Sequence, residues 1–251
     1  MIASTRLDSN AQYSPDGKRI AFESNRYGNQ EVWVCDADGS NAVQLVAIGR
    51  SGSPRWSPDS QRIAFDSNVD GNWQIYTVSA HGGRPQRVTK GAANDVRPSW
   101  SQDGKWVYFS SNRSGGGQSW QIWKMPAGGG EARQVTKDGG YNPFESKDGK
   151  TIYYLKRNVD LGPLWKVPAE GGEESQVADG VGSFVPSRGG IYFLSGKGLQ
   201  YLDLSTGKSK TILTIEKAVF LGLTLSPDEH WLLYSQVDQR GSDLMLVDNF
   251  R

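Results

Sequence analysis

The sequence has few of the residues that most often build catalytic and metal centres. Its 251 residues include one cysteine, Cys35, and two histidines, His81 and His230. A single cysteine excludes an internal disulfide, and neither histidine has a second His or Cys at the spacing of metal ligands. The G-x-S-x-G elbow of many serine hydrolases is also missing. We therefore expect no catalytic residues, no metal site and no cofactor.

An excess of charge of one sign and long apolar runs are missing as well. The chain carries 28 Lys and Arg against 27 Asp and Glu, for a net charge of +1, so nothing favours nucleic acid as a partner. No apolar run approaches the roughly 18 residues of a membrane span, and no charged start followed by an apolar stretch marks a secretory signal. We expect neither nucleic-acid contact nor membrane insertion, and the compartment stays open.

What the sequence does contain is a repeated phrase. The segments YSPDGKRIAFESN (13–25), WSPDSQRIAFDSN (56–68) and WSQDGKWVYFSSN (100–112) are near copies, and three weaker copies follow. One serine marks each copy, at spacings of 43, 44, 45, 41 and 39 residues. Six units of roughly 40 residues match the length of four-stranded β-propeller blades. The marker serines are Ser14, Ser57, Ser101, Ser146, Ser187 and Ser226.

Within a unit, short stretches of alternating polarity are separated by Gly-containing turns, which is typical of antiparallel strands. We expect an all-β six-bladed β-propeller with four antiparallel strands per blade, formed as one domain over residues 1–251. The last unit lacks a fourth strand, so we expect residues near Ser4–Asp8 to complete the last blade and close the ring. The expected blades are roughly residues 9–48, 49–92, 93–138, 139–180, 181–217, and 218–251 together with 1–8.

The repeated carboxylates and tryptophans have structural interpretations. An Asp follows most marker serines, but the units place these residues one per blade, where each can bond its own turn. Trp56 and Trp100 precede the turn, and we interpret them as packing residues between blades. Cys35 lies in the alternating stretch EVWVCD (31–36) and is expected to be a small strand residue.

The repeated wording resembles the repeat of TolB-like six-bladed propellers, which also occurs in the propeller halves of prolyl-oligopeptidase-like and tricorn-like proteins. The residues that carry the resemblance are Ser14–Gly17 with Ile20–Phe22, Ser57–Asp59 with Ile63–Phe65, and Ser226–Asp228. The resemblance covers nearly the whole chain and implies the fold. A TolB-like role would be periplasmic, whereas a propeller within a bacterial regulator would be cytoplasmic or membrane-tethered.

The positions that do not repeat are the candidates for recognition. The innermost strands of a propeller line its axial channel, and their starts surround the channel mouth. An asymmetric ligand needs differences between blades, so we hypothesise that this mouth binds a partner, with Arg55 and Arg97 as anchors for an anionic group. Neutral variation on a solvated rim is the alternative. The predicted binding residues are Asn10, Ser53, Arg55, Arg97 and Asn142, with Trp73 and Trp120 near hairpin tips.

These observations favour a non-catalytic protein- or peptide-binding module that uses the channel mouth and the loops around it. Two alternatives stay open: a ligand-sensing C-terminal domain of a larger bacterial regulator, and the substrate-gating propeller of a peptidase-type enzyme. We expect a monomer with a protein or peptide partner, and a small-molecule ligand is not excluded.

Overall fold

The computed structural model describes residues 6–114, 119–196, 198–217, 219–238 and 241–247. These residues form strands and turns, and none of them belongs to a helix long and apolar enough to cross a membrane. The first three sheets are built in chain order. Their strands are β1 (Asp8–Tyr13), β2 (Arg19–Ser24), β3 (Glu31–Asp36), β4 (Val43–Gln44), β5 (Ser51–Trp56), β6 (Arg62–Ser67), β7 (Gln74–Ser79), β8 (Gln86–Arg87), β9 (Asp95–Trp100), β10 (Trp106–Ser111), β11 (Gln121–Pro126) and β12 (Arg133–Gln134).

The remaining three sheets follow the same order. Their strands are β13 (Tyr141–Glu145), β14 (Thr151–Leu155), β15 (Gly162–Pro168), β16 (Ser175–Val181), β17 (Phe184–Pro186), β18 (Gly190–Ser195), β19 (Gly198–Asp203), β20 (Ser209–Leu213), β21 (Val219–Leu225), β22 (Leu232–Asp238) and β23 (Gly241–Val247). In every sheet, strands that follow each other in the chain are antiparallel neighbours. The innermost strands β1, β5, β9, β13, β17 and β21 each contact the next, and β21 contacts β1. The all-β propeller prediction is thereby confirmed.

The predicted blade count and closure need correction. Five sheets have four strands, and the last sheet, β21–β23, has three in the described residues, so the prediction of six four-stranded blades is wrong. Asp8, expected in the outer strand of the last blade, instead begins β1, opposite Ser24 of β2. The Leu7 amide donates to the side-chain Oδ1 of Asn25, and the Asn25 amide donates to the backbone oxygen of Leu7. These two bonds hold this segment in the first sheet. Ser4 and Thr5 lie outside the described residues.

The hydrophobic core lies between adjacent sheets. Phe22, Phe65 and Phe109 occupy equivalent positions on the second strands of blades one to three and are fully buried. The buried apolar side chains form clusters, each of which joins two neighbouring sheets. One cluster includes Leu233 of the last sheet together with residues of the first sheet. Apolar surface buried in this way stabilises the fold by roughly 25 cal/mol per Å². Packing between sheets therefore fixes the angle at which each innermost strand meets the channel.

Two predicted packing tryptophans connect the innermost strands. The indole N–H of Trp56 donates to the backbone oxygen of Gln12 at 3.1 Å, and that of Trp100 donates to the backbone oxygen of Arg55 at 3.0 Å. Both rings are buried. The interpretation of these two residues as inter-blade packing residues is confirmed.

The repeated turn is also structural. In the second blade the Ser57 hydroxyl donates to Asp59 and accepts the amide of Arg62, while the Asp59 carboxylate also accepts the amide of Gln61. The same bonds recur at the turns that begin at Ser14, Ser101, Ser146 and Ser226. The Asp side chains thus close their own turns, as the sequence predicts.

Because the strands alternate in direction, the propeller has two distinct faces. The mouth face carries the starts of the innermost strands and the hairpins between second and third strands. The turn face carries the Ser-Pro-Asp-Gly-type turns and the turns between third and fourth strands.

Candidate binding site at the channel mouth

Five of the six innermost strands, β1, β5, β9, β13 and β21, enter the channel through a distorted start. Four of the predicted mouth residues have left-handed backbones, with φ between 50° and 55°: Asn10, Ser53, Arg97 and Asn142. The strand register shifts at each of them, as at β-bulges. Gly222 occupies the same place in β21 with a φ of 113°. The unrepeated position therefore has a backbone role in addition to any contact that its side chain makes.

The bulge directs the backbone amide toward the preceding blade. The amide of Ser53 donates to Oε2 of Glu23 at 2.9 Å, and the amide of Arg97 donates to Oδ2 of Asp66 at 2.8 Å. The amide of Asn142 donates to the Ser110 hydroxyl at 3.0 Å. These acceptors sit at one equivalent position of the second strands, and each one satisfies an amide that the bulge removes from the ladder.

The residue type at that acceptor position differs between a polar and an apolar half of the channel. It is polar in blades one to three, whereas Leu155 and Leu194 occupy it in blades four and five. Glu23 and Asp66 were not among the residues predicted from the sequence. The available signal was an acidic residue next to the buried Phe of an apolar strand, in AFES (21–24) and AFDS (64–67).

Arg55 lies inside the channel on β5 and is only 7% exposed. Its Nη1 donates to the backbone oxygen of Pro54 at 2.8 Å, and its guanidinium carbon lies 5.0 Å from the ring centroid of Phe144. Its buried Nε has no hydrogen-bond partner among the described residues. Burial and the neighbouring Arg97 lower the pKa of Arg55 to about 10, although Glu23 and Asp66 oppose this. The guanidinium is therefore charged at neutral pH.

The Arg97 guanidinium has more hydrogen-bond partners than that of Arg55. Its Nη1 donates to Oδ1 of Asn10 at 3.1 Å and its Nε to the hydroxyl of Tyr141 at 3.4 Å. Burial lowers the pKa of Arg97, but Tyr141 and the carboxylates of Glu23 and Asp66 outweigh burial, so the net pKa is raised. Burial raises the pKa of the Asp66 carboxyl, while Arg97 opposes it.

The two predicted tryptophans flank the mouth and are partly exposed. The guanidinium carbon of Arg50 lies 5.6 Å from the ring centroid of Trp73. The Trp120 ring meets Tyr141 edge-on, with centroids 5.7 Å apart. The aromatic rings therefore border the same polar rim that Arg97 occupies.

The structure brings all seven predicted residues to two adjoining recesses. The larger, of about 670 Å³, is lined by Asn10, Arg55, Arg97 and Asn142. The smaller, of about 530 Å³, is lined by Asn10, Ser53, Arg97, Trp73 and Trp120. Apolar side chains of blades four and five and the last sheet complete the larger recess. They are Phe144, Leu155, Phe184, Leu194 and Leu223.

Arg55 lies, with Phe144 and Leu223, where the larger recess adjoins a cavity toward the opposite end of the channel. This third cavity, of about 420 Å³, opens among Gln12, Trp56 and Trp100. The Arg55 side chain therefore adjoins both cavities.

The mouth face also exposes apolar side chains. Tyr27 and Val69 lie in the hairpins of blades one and two, Val159 and Leu161 lie in that of blade four, and Leu221 lies at the start of β21; all are exposed. Exposed apolar groups gathered around a recess are typical of interaction surfaces.

Comparison with known proteins agrees with the fold. The family model of the TolB beta propeller domain matches residues 44–189. The Tol-Pal system protein TolB of Desulfosudis oleivorans is 31% identical over 98 residues, which cover 39% of this chain and 13% of that protein. An uncharacterised protein of Agrobacterium fabrum is 30% identical over 77 residues, which cover 30% of this chain and 25% of that protein. The chain thus matches about a quarter or less of the length of these curated relatives.

Solved structures share the architecture at low identity. TolB from Acinetobacter baumannii superposes with a TM-score of 0.57 at 19% identity, covering 99% of this chain and 53% of that one. Oligogalacturonate lyase from Vibrio parahaemolyticus superposes with a TM-score of 0.67 at 12% identity, covering 98% of this chain and 92% of that one. At such identities the likeness concerns the fold alone, and one fold carries both a lyase and a TolB.

Proposed function

The chain belongs to the TolB beta propeller domain family, and from that membership we propose that it is a non-catalytic module that binds a protein or peptide at its mouth face. The relative from Desulfosudis oleivorans bears the name of a Tol-Pal system protein, which is the functional connection the family offers. The mouth residues of this chain supply the physical argument for the binding face.

The observation that carries the proposal is the composition of the smaller recess. Trp73 and Trp120 line this recess and are partly exposed, and Arg97 lines both this recess and the larger one. Trp, Tyr and Arg dominate the residues that contribute most to protein–protein binding. The exposed Leu161 and Leu221 extend this apolar surface.

The positions of the titratable side chains support the proposal that the module is non-catalytic. His81 and His230 lie in turns of the turn face, and Nδ1 of His230 is 3.3 Å from Oδ2 of Asp228 in an exposed pair. Among the described residues that line the mouth recesses there is no histidine and no cysteine. Glu23 and Asp66 are used as acceptors for bulge amides, which favours a structural use of these carboxylates.

A paired surface experiment tests this proposal. The mouth variant Trp73→Ser/Trp120→Ser removes both rim rings, and Leu204→Ser removes an exposed leucine from the turn between β19 and β20 on the opposite face. Each protein that the wild type captures would be purified and then titrated against the wild type, the mouth variant and Leu204→Ser. We expect to find a captured protein whose affinity for the mouth variant is about tenfold or more weaker than for the wild type. Its affinity for Leu204→Ser should be unchanged.

The decisive result is the comparison of the two faces. A purified partner that binds the mouth variant as tightly as the wild type would overturn the assignment of the mouth face. Hydrolysis of a peptide substrate by the wild-type protein would overturn the non-catalytic assignment. Circular dichroism and thermal melting of each variant confirm that the proteins compared are folded.

A further inference from the structure

Arg55 differs from Lys124, another buried cation among the described residues. Lys124 is equally buried, but its Nζ donates to the backbone oxygen of Ala169 and to Oε1 of Glu170, both at 2.9 Å. Within the described part of the chain, the Arg55 guanidinium has one hydrogen bond, to the backbone oxygen of Pro54, and no carboxylate lies within 4.0 Å of it. Buried charges in proteins are normally paired and hydrogen-bonded. A buried guanidinium with an unused Nε thus needs an explanation.

The surroundings of Arg55 suggest what would satisfy it. The larger recess is lined by the Arg55 guanidinium and by the apolar side chains of Phe144, Phe184 and Leu194, and the Phe144 ring lies beside the guanidinium. A ligand that fits this lining has an anionic end and an apolar body. The planar guanidinium matches a carboxylate particularly well, because two parallel N–H groups can meet its two oxygens.

The local charge limits the ligand to a single negative charge. Arg97 already has Asn10 and Tyr141 as hydrogen-bond partners, and the carboxylates of Glu23 and Asp66 lie in the adjoining recess. These two carboxylates would repel a dianion such as a phosphate monoester. A monocarboxylate is the anion that the balance of charges accepts.

We propose that the channel is a binding site for an amphipathic monocarboxylate, whose carboxylate pairs with the Arg55 guanidinium and whose apolar body packs on Phe144, Phe184 and Leu194. This site lies deeper than the rim tryptophans, and it does not depend on the protein-binding proposal. The carboxylate can belong to a free organic acid or to the C-terminus of a polypeptide that reaches in from the mouth.

The test uses matched acids and amides. Isothermal titration with 4-phenylbutyrate and with 4-phenylbutyramide compares two molecules that differ in the charged group. An N-acetylated tetrapeptide ending in Phe, with a free or an amidated C-terminus, makes the same comparison for a chain end. We expect an acid to bind and its amide to bind at least about tenfold more weakly, since a charged hydrogen bond is lost.

Two variants locate the site. Arg55→Met should weaken binding of the acid by about tenfold or more, whereas Arg84→Met, which removes an exposed arginine from the turn between β7 and β8 on the opposite face, should leave it unchanged. The Arg55→Met protein should also melt at the same or a higher temperature without ligand, because a buried unpaired charge is replaced by an apolar side chain. A purely structural Arg55 would lower the melting temperature instead.

A measurement on the wild type covers the case in which Arg55→Met does not fold. Addition of the acid should shift the Arg55 Nε–Hε resonance in an NMR spectrum, and addition of the amide should not. Binding by the free acid identifies a small organic acid as the source, and binding by the peptide acid alone identifies a chain end. Equal binding of acids and amides, no binding of either acid, or an unmoved Arg55 resonance would each overturn the proposal.

Discussion

Arg97 donates a hydrogen bond from Nη1 to Oδ1 of Asn10 across 3.1 Å, although the two residues are 87 positions apart and belong to innermost strands two blades apart. Asn10 in turn donates from Nδ2 to Oε1 of Glu23 at 2.8 Å. Both Arg97 and Asn10 are held in left-handed conformations by their bulges. The polar half of the mouth is therefore fixed before any partner arrives, which lowers the entropic cost of binding.

The backbone of Arg97 gives a first prediction about stability. Arg97→Gly and Arg97→Ala delete the same hydrogen bonds, but only Ala keeps a Cβ at a φ of 55°. Because the left-handed region is unfavourable for residues with a Cβ, we expect the Gly variant to be more stable than the Ala variant by about 0.5–1 kcal/mol. Urea unfolding of both variants measures the difference. Equal stabilities, or a more stable Ala variant, would contradict the left-handed assignment.

The ion pair between Asp95 and Arg113 gives a second prediction. Nη2 of Arg113 lies 2.7 Å from Oδ2 of Asp95, whose side chain is fully buried. Blade two has Ser51 and Val69 at the equivalent positions, so the two charges are absent together there. Arg113→Val should cost about 3 kcal/mol, because it leaves a buried carboxylate unpaired. Addition of Asp95→Ser should restore most of that loss.

This second prediction is measured by denaturant unfolding of the wild type, both single variants and the double variant. The double-mutant cycle isolates the coupling between the two side chains. If Arg113→Val is as stable as the double variant, the charge of Asp95 is not what the arginine compensates. The Arg113 side chain would then contribute mainly through its packing on the rings of Phe109 and Trp123.

The repeat in the sequence was sufficient to predict the propeller, because turns such as Ser57–Asp59 are local and each unit specifies its own strands. The last sheet was predicted less well. The prediction that residues near Ser4–Asp8 complete it relied on a short polar segment with little pattern. In the structure the neighbouring Leu7 pairs with Asn25, and this contact depends on the hairpin of the first blade.

The mouth residues could be located from the sequence because their position in the repeat determines where they lie. Their chemistry could not, since it depends on contacts between blades. The bond between Arg97 and Asn10 joins strands two blades apart, and nothing in either local sequence specifies it. Equally, the lack of a partner for Arg55 Nε is a property of the assembled channel.

Cys35 gives a third prediction, on chemical reactivity. The thiol is buried in β3, and burial raises its pKa to about 12, opposed by Arg26 and supported by Asp36. Only the thiolate reacts readily with disulfide reagents. We expect Ellman's reagent at about pH 8 to leave the native protein unmodified and to label one thiol in denaturant. Rapid labelling of the native protein would show that β3 opens to solvent.

The turn carboxylates give a fourth prediction, on the pH dependence of stability. The hydroxyl of Ser57 and the amide of Gln61 lower the pKa of Asp59 in the folded protein. A carboxyl whose folded pKa is depressed stabilises the fold above its ordinary pKa, and this contribution is lost as the pH falls through the folded value. Ser57→Ala removes the largest cause of the shift. The melting-temperature difference between wild type and Ser57→Ala should therefore shrink as the pH falls from about 6 to below about 4.

Blade five supplies the control for this prediction. Ser187 occupies the equivalent turn, where it donates to the backbone oxygen of Gly190 and accepts the Gly190 amide, with no Asp in the turn. Ser187→Ala removes the same hydroxyl without affecting a carboxylate. Its effect on the melting temperature should stay constant over the range in which that of Ser57→Ala declines. If both differences stay constant with pH, Asp59 does not draw its lowered pKa from Ser57, and the turn is held by neutral hydrogen bonds alone.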